Sequence, residues 1–359
     1  MVIIVFARHL TDFSLFAQRS MAPTQQLVRV AAVQAEPEWL DLQGSVKKTC
    51  SLIADAAQGG AQLVSFPECF IPGYQGWIWT RPVEPELTIK YITNSLKVDS
   101  PEMETIRAAA AKHNINVVLG FSENHHNSLY MAQAIISGAT GEILMKRRKF
   151  KPTHVERTVF GDSSGSSLMN VVELPIGKVG ALNCWEHIQP LLKYHTFLQR
   201  EEIHVSSWPS LDPFVEGDPG HWGMSREGSH NAGRQYALEG GCFVMHTTAV
   251  VSQRGIDLVG TQNGPICHTP GGGCSAIYGP DGRQLSEWLP ETEEGLVFAD
   301  LDKSLIIAAR TLVDSCGHYS RPDMLWLGVD ARERKHVNYQ GQPDLKLEKV
   351  ETSSESSYD

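Results

Sequence analysis

The sequence predicts an α/β fold in which two mixed sheets lie between layers of helices. Between residues 27 and 330, short β-branched or apolar runs alternate with longer amphipathic runs. Several consecutive strands are separated only by tight turns, which indicates antiparallel pairs beside parallel ones. No linker-like or repeated stretch divides this range. The chain has 359 residues, 42% of them apolar, so it can bury a large core.

The first half of this range begins with alternating strands and helices and ends with three successive strands. Strands are predicted at 28–34, 63–66, 116–121, 130–136 and 142–148, and helices at 42–58 and 101–114. Gly59 and Gly60 end the first helix, and Pro67 ends the second strand because it cannot donate to the ladder. Glu102 and Glu104 favour the start of the second helix, where the helix dipole is positive.

The second half repeats the alternation and then adds a hairpin. Strands are predicted at 178–184, 203–206, 243–248 and 296–300, helices at 188–200, 225–239 and 303–312, and a hairpin at 274–278 and 284–288. The turn of the hairpin is Gly279-Pro280-Asp281-Gly282. These elements continue one domain rather than start a second.

We therefore assign residues 27–330 to one domain and the two ends to flanking segments. Residues 1–26 are predicted to be an N-terminal extension outside the fold. Residues 331–359 are predicted to be a polar tail, because their last twelve residues (EKVETSSESSYD) are acidic and rich in Ser.

Charge and cysteine usage exclude several classes of protein. Lys and Arg number 31 and Asp and Glu 41, so the net charge is −10, which does not favour binding to nucleic acid or to an anionic membrane. No apolar run approaches the roughly 18 residues of a membrane span. The seven cysteines form no CxxC pair and the fourteen histidines no HExxH motif. We predict a cytoplasmic protein without metal or cofactor.

Three residues at the ends of predicted strands could together carry out acyl transfer. Cys184 could act as the nucleophile, Glu68 as the base that removes its proton, and Lys149 as the cation that stabilises developing negative charge. Taken singly, each has an ordinary structural explanation. The ends of strands in α/β proteins converge on one crevice, so we expect the three side chains to meet.

Four segments carry a resemblance to a known family: FPECFIPGYQGWIW (66–79), RRKFKPTHVERTVFGDSSG (147–165), LNCWEHIQPLLKY (182–194) and GHYSRPD (317–323). They resemble the nitrilase superfamily of carbon–nitrogen hydrolases, and the Cys-Trp-Glu sequence resembles its true nitrilase branch. The resemblance implies an αββα sandwich and a catalytic triad of Cys184, Glu68 and Lys149. It also implies that Glu156 positions water or substrate. The alternative for Glu156 is a capping carboxylate or one paired with Arg157.

The resemblance further implies hydrolysis of an organic nitrile, aromatic or arylaliphatic, to the carboxylic acid and ammonia. Four aromatic residues are predicted to bind the substrate, with burial in the core as the alternative: Tyr74, Trp77, Trp185 and Trp208. Gly76 stands where relatives carry an aromatic ring, which predicts a gap in the pocket wall. A homodimer or a larger spiral homo-oligomer is expected, with 188–201 as the candidate interface.

Other functions stay open at this point. A cyanide hydratase, which converts hydrogen cyanide to formamide, would use the same triad. An amidase or carbamoylase is less favoured because Trp185 follows the cysteine. A non-catalytic scaffold is disfavoured because all three triad residues are present.

Overall fold

The computed structural model describes residues 27–217 and 221–334. The predicted N-terminal extension and residues 335–359 of the predicted tail lie outside the described residues. Within the described part, two mixed sheets are sandwiched between helices, which confirms the predicted αββα architecture. None of the described helices is long and apolar enough to cross a membrane.

Eleven strands of the described residues make up the two sheets. They are β1 (Val28–Gln34), β2 (Leu63–Ser65), β3 (Asn116–His125), β4 (Ser128–Ile136), β5 (Ile143–Arg148), β6 (Val171–Leu174), β7 (Gly177–Asn183), β8 (Ile203–Trp208), β9 (Phe243–Thr248), β10 (Ala276–Tyr278) and β11 (Gly295–Leu301). The first sheet has the order β11-β1-β2-β3-β4-β5 and the second β10-β9-β8-β7-β6. Parallel strands form the centre of each sheet and antiparallel strands its edges.

Seven α-helices accompany the sheets in the described residues. They are α1 (Leu42–Gln58), α2 (Pro85–Asn94), α3 (Pro101–His113), α4 (Pro190–Leu198), α5 (Arg226–Gly240), α6 (Gln253–Val259) and α7 (Ser304–Leu312). Apolar residues of α1 and α3, including Ile53 and Ile106, are buried with residues of the first sheet. Leu192 of α4 and Tyr236 of α5 are buried with residues of the second. The helices therefore cover the two outer faces.

Side-chain caps fix where the longer helices begin. Asp41 accepts a hydrogen bond from the Gly44 amide at the start of α1, and Ser100 accepts one from Met103 at the start of α3. Such caps satisfy backbone donors that have no partner within the helix. The helix α3 ends at Asn114, whose left-handed backbone (φ 49°) closes the last turn.

The inner faces of the sheets form one apolar core with a polar edge. Val30 of the first sheet and Val205 of the second belong to the same buried cluster. Hydrogen bonds then join the sheets where the central strands end: the hydroxyls of Ser65 and Thr247 are 2.6 Å apart, and Ser207 Oγ donates to the carbonyl oxygen of Phe66 at 3.0 Å. This edge holds the loops that follow β2 and β8 against one another.

Two predicted elements are corrected by the structure. Residues 284–288 are not a strand: beyond the Tyr278–Gln284 bridge, the hydroxyl of Ser286 accepts the Ile277 amide hydrogen and takes the place of a backbone partner. The helix predicted at 188–200 begins at Pro190, because a 3₁₀ helix precedes it. The elements α2, α6 and β6 were not predicted.

Candidate active site

Cys184 lies at the point where β7 ends and a 3₁₀ helix (Cys184–Ile188) begins. Its backbone is left-handed (φ 46°), a conformation that costs a residue with a Cβ roughly 1–2 kcal/mol. The ring of His187 contacts the carbonyl oxygen of the same residue, with Nδ1 2.6 Å from it. The thiol residue is 5% exposed and belongs to a small apolar cluster with Trp208 and Leu211.

Lys149 joins the two glutamates that the sequence singled out. It follows the last residue of β5, and its amide donates to the Met131 carbonyl oxygen at 2.7 Å. Its ammonium group donates to Glu68 Oε1 at 3.0 Å and to Glu156 Oε2 at 2.8 Å. All three side chains are buried, so these two hydrogen bonds are shielded from water. The structure thus brings Glu68, Lys149 and Glu156 together.

Burial shifts the protonation equilibria of this cluster. Burial raises the pKa of Glu68 to about 8, against the opposing effect of Lys149, and the charge of Glu156 raises it further. Among the residues that the structure describes, the Glu68 Oε2 atom has no hydrogen-bond partner. Burial also raises the pKa of the Cys184 thiol, as does the charge of Glu68. Burial would lower the pKa of Lys149, but Glu156 and Glu68 outweigh it and raise the pKa above its usual range.

Glu156 has three hydrogen-bond donors around it. Besides Lys149, its carboxylate accepts from the Thr153 amide at 2.6 Å and from the Tyr74 hydroxyl at 2.9 Å. The bond to Thr153 caps the 3₁₀ helix His154–Thr158, so the capping alternative is realised together with the pairing to Lys149. Arg157 is not its partner, because the Arg157 guanidinium donates to the carbonyl oxygen of His154.

A second buried ion pair, which the sequence did not reveal, lies beside the cluster. Arg147 donates through both terminal nitrogens to Glu186, at 2.7 and 2.6 Å. Glu186 also accepts from the Phe150 amide at 2.7 Å and from the Asn183 amide at 2.8 Å. Burial would raise the pKa of Glu186, but the Arg147 charge outweighs it and holds the pKa below its usual value. The Cys-Trp-Glu motif was the only sequence signal for this glutamate.

An apolar cavity of about 360 Å³ opens onto Cys184 and Glu156. It is lined by Tyr74, Trp79, Thr153, His154, Glu156, Cys184, Trp185, Pro209, Leu211, His221, Met224 and Ile266. The indole of Trp79 stacks on the His154 ring, with ring centres 5.5 Å apart, and donates to the Tyr74 hydroxyl at 3.1 Å. Two of the predicted substrate-binding residues, Tyr74 and Trp185, are therefore in this wall.

The other two predicted substrate-binding residues are not in the wall. Trp77 packs edge-on against Tyr91 in an apolar cluster behind it, with ring centres 5.5 Å apart. Trp208 is 1% exposed and donates its indole hydrogen to Ser206 at 2.7 Å. The prediction of a gap in the pocket wall at Gly76 is also wrong. A Cβ atom at this position would lie 3.0 Å from the methyl group of Thr261, which does not line the cavity. Residues 76–79 form a 3₁₀ helix with three residues per turn, so neighbouring side chains point in different directions.

Potential metal ligands are found elsewhere in the described residues. His230, His246 and Cys274 each offer a ligand atom, and these atoms lie within 4.8 Å of one another. None of the three lines the cavity that contains Cys184. The sequence did not indicate this cluster because its members come from α5, β9 and the segment before β10.

Comparisons with known proteins agree with this geometry. A family model described as carbon-nitrogen hydrolase matches residues 29–311. An arylacetonitrilase from Aspergillus kawachii is 60% identical over 310 residues, covering 86% of this chain and 94% of that protein. An arylacetonitrilase from Aspergillus oryzae is 59% identical over 318 residues, covering 88% and 95%.

Solved structures agree on the fold. A mutant amidase from Nesterenkonia sp. AN1, with the acetamide moiety of fluoroacetamide added at its active-site cysteine, superposes with a TM-score of 0.58 at 18% identity. The match covers 81% of this chain and 96% of that one. The chain belongs to the carbon–nitrogen hydrolase family. Within that family, its similarity to the arylacetonitrilases confirms the predicted nitrilase branch.

Proposed function

We propose that this nitrilase hydrolyses arylaliphatic nitriles, of which arylacetonitriles are the simplest, to the carboxylic acid and ammonia. The observation that carries the proposal is the apolar cavity of about 360 Å³ in whose wall Cys184 lies. That volume is near the lower end for small-molecule sites, about 300–1,000 Å³, and suits a single aromatic ring. The arylacetonitrilase relatives support the same substrate class.

In the first half of the reaction, Glu68 removes the thiol proton and the Cys184 sulfur attacks the nitrile carbon. One bond of the triple bond opens, and negative charge grows on the nitrogen. Lys149 stabilises that charge without reorientation, because Glu68 and Glu156 already hold its ammonium group. Glu68 then returns the proton to the nitrogen, which gives a neutral thioimidate.

In the second half, Glu68 takes a proton from a water molecule that adds to the thioimidate carbon. That proton passes to the nitrogen and gives an amino group. As the tetrahedral intermediate collapses to a thioester, its hydroxyl proton also moves to the nitrogen and ammonia leaves. A second water molecule hydrolyses the thioester and restores the thiol. If the tetrahedral intermediate expels sulfur instead of ammonia, the product is the amide. Glu156 holds Lys149 and the Tyr74 hydroxyl on the side of the cavity.

The alternatives differ in what they require of the cavity. Hydrogen cyanide has no group to fill an apolar wall that includes Trp79 and Met224, so the wall disfavours a cyanide hydratase. An amidase would share the cluster of Glu68, Lys149 and Cys184. Product analysis separates these functions.

The test is a panel of phenylacetonitrile, phenylacetamide, a short aliphatic nitrile and cyanide, with ammonia, acid and amide measured separately. We expect the largest kcat/KM for phenylacetonitrile, with phenylacetic acid as the main product. Preferred turnover of phenylacetamide would identify an amidase. Turnover of cyanide alone, to formamide, would identify a cyanide hydratase.

We also propose that copies of this chain assemble into a homodimer or a larger spiral homo-oligomer. Ile188 and Leu191, in the predicted interface, are 52% and 69% exposed. They share an apolar groove with Leu327 and Val329. Exposed apolar surface of this kind is typical of an interaction site. Light scattering of the wild type and of Leu191→Glu tests this, and an active wild-type monomer would contradict it.

The cytoplasmic location stays a prediction. It is supported by the seven cysteines, all of which are free thiols. Fractionation of the source cells, with the protein detected by antibody, would test it.

A further inference from the structure

A chain of buried hydrogen bonds leads from the carbonyl oxygen of Cys184 into the second sheet. His187 Nδ1 lies 2.6 Å from that oxygen, and His187 Nε2 lies 3.0 Å from His204 Nε2. His204 Nδ1 lies 2.8 Å from Glu201 Oε2, and the Tyr236 hydroxyl donates to Glu201 Oε1 at 2.5 Å. Each of the four side chains is at most 1% exposed. The proposed mechanism uses none of them.

The positions of the hydrogen atoms follow from the chemistry of the two ends. A carbonyl oxygen only accepts, so His187 Nδ1 must carry a hydrogen atom and donate it to Cys184. Burial lowers the pKa of His187, so its ring is neutral and Nε2 is left as an acceptor. His204 Nε2 must then donate to it. One further hydrogen atom lies between His204 and Glu201, whether it is bound to the ring or to the carboxyl group.

This arrangement of donors and acceptors ends at the peptide group between Cys184 and Trp185. The carbonyl oxygen of that group receives the His187 hydrogen bond. Its nitrogen is the backbone amide of Trp185, which lowers the pKa of the Cys184 thiol, against the larger effect of burial. A donor on the carbonyl oxygen therefore orients and polarises the whole peptide group, including the Trp185 amide. It also stabilises the left-handed backbone of Cys184.

We propose that His187, His204 and Glu201 are positioning residues that hold the peptide group of the nucleophile in the orientation needed for attack. The inference rests on the proposed role of Cys184 and extends it to residues that do not touch the substrate. At the far end Glu201 shares a hydrogen atom with His204, and through the two rings this contact keeps the hydrogen atom of His187 on Nδ1.

The packing around these hydrogen bonds leaves room for the Glu201 carboxylate and restricts both histidine rings. Gly180 of β7 faces the Glu201 carboxylate, and a Cβ atom there would overlap with Oε2. The His204 ring stacks on Tyr236 with ring centres 3.8 Å apart, and the His187 ring stacks on Trp208 at 5.6 Å. These contacts fix the planes of both rings, so the ring nitrogens stay directed at their hydrogen-bond partners.

The first test removes the donor and then restores it. His187→Leu keeps the bulk and loses the hydrogen bond to Cys184, whereas His187→Asn places an amide donor near the same position. We expect kcat for phenylacetonitrile to fall about 10- to 100-fold in the Leu variant with little change in KM, because the reacting atom is misplaced. The Asn variant should recover most of that loss, to within about threefold of wild type.

The rate at which iodoacetamide alkylates Cys184 should fall and recover in parallel. This measurement needs no nitrile turnover, so a failure of the proposed substrate class would leave it intact. The inference would be overturned if both variants lost kcat and alkylation rate equally, in proportion to their losses in thermal stability. The hydrogen bonds would then be a structural feature only.

The second test changes the far end. Glu201→Gln can donate to His204 Nδ1 and accept from Tyr236, so it preserves the hydrogen-bond order. Glu201→Leu cannot do either. We expect the Gln variant to keep kcat and the alkylation rate, and the Leu variant to lose both with KM nearly unchanged. If the Leu variant kept its alkylation rate, Glu201 would not act on Cys184.

Discussion

Arg147 and Glu186 form a doubly hydrogen-bonded ion pair between the two sheets, with both side chains fully buried. Arg147 belongs to β5 of the first sheet, and Glu186 follows β7 of the second. Because Glu186 also accepts from the amides of Phe150 and Asn183, it contacts the residues next to Lys149 and next to Cys184. The pair therefore fixes the distance between Lys149 and Cys184.

The first prediction is that Glu186→Gln destabilises the fold. It leaves the Arg147 charge buried without a counter-ion, which typically costs 3–5 kcal/mol, so we expect a loss of about that size in the free energy of unfolding. Asp300→Asn is the control, because Arg29 also donates to both carboxylate oxygens of Asp300, but in a pair that is about half-exposed. Its loss should be at most about 1 kcal/mol by denaturant titration. Equal losses would contradict the prediction.

The second prediction concerns the nucleophile. Cys184→Ala should abolish nitrile hydrolysis while the thermal unfolding midpoint stays near that of the wild type. Cys184→Ser should be nearly as inactive, because a hydroxyl is a weaker nucleophile than a thiol when the base is a carboxylate. Cys316→Ser is the control, since Cys316 lies outside the cavity, and it should keep full activity. Hydrolysis by the Ala variant would exclude the thiol mechanism.

The third prediction tests the base and the cation separately. Glu68→Gln keeps the shape and loses the charge, and Lys149→Met keeps the length and loses the ammonium group. Removing a fixed charge stabiliser usually lowers the rate by about 100- to 1,000-fold, and we expect losses of that order in kcat. A variant that stays within about threefold of wild type would show that its residue is structural.

The fourth prediction is a pH profile. Glu68, with a pKa of about 8, is mostly protonated at neutral pH, so the ionised base becomes more abundant as the pH rises towards 8. We expect log kcat/KM to rise with a slope near one below that pH and to level off above it, since kcat/KM reports the free enzyme. The rise of log kcat/KM with pH should be absent from the residual activity of Glu68→Gln. A flat profile from about pH 6 to 8 in the wild type would contradict the shift.

The fifth prediction replaces the one made from Gly76. Trp79, rather than residue 76, presents an aromatic face to the cavity. Trp79→Ala should lower kcat/KM for phenylacetonitrile more than for a short aliphatic nitrile, because each Å² of lost apolar burial costs roughly 25 cal/mol. Trp288→Ala, at a half-exposed site outside the cavity, is the control and should leave the ratio unchanged. An unchanged ratio in Trp79→Ala would remove Trp79 from substrate recognition.

The sequence predicted the elements that bury a regular apolar pattern. The predicted strands 28–34 and 243–248 match β1 and β9 in both bounds. The helix α2 was missed because it buries little: Tyr91 is buried, whereas Leu87 and Ile92 are only partly buried against the same apolar cluster. It is held in place by the Tyr91 hydroxyl, which donates to the Gly73 carbonyl oxygen at 2.9 Å, a contact that no local pattern reveals.

The candidate site, too, could be predicted only in part. Glu68, Lys149 and Cys184 could be found because each follows a strand and lies in a recognisable motif. His204 and Glu201 could not, since their roles depend on which ring faces which across packed elements. Trp77 and Trp79 are two residues apart in one aromatic run, yet only Trp79 reaches the cavity. Composition could not decide between them because both side chains are large and mostly buried.

The edge where the two sheets meet has a consequence for how the protein acquires activity. Glu68 and Lys149 follow strands of the first sheet and Cys184 follows a strand of the second, so neither sheet carries a complete site. Chains of this size commonly fold through intermediates in which secondary structure precedes final packing. During refolding, turnover should therefore return after the far-ultraviolet circular dichroism signal. An activity-based refolding assay would time the docking of the sheets rather than the formation of either one.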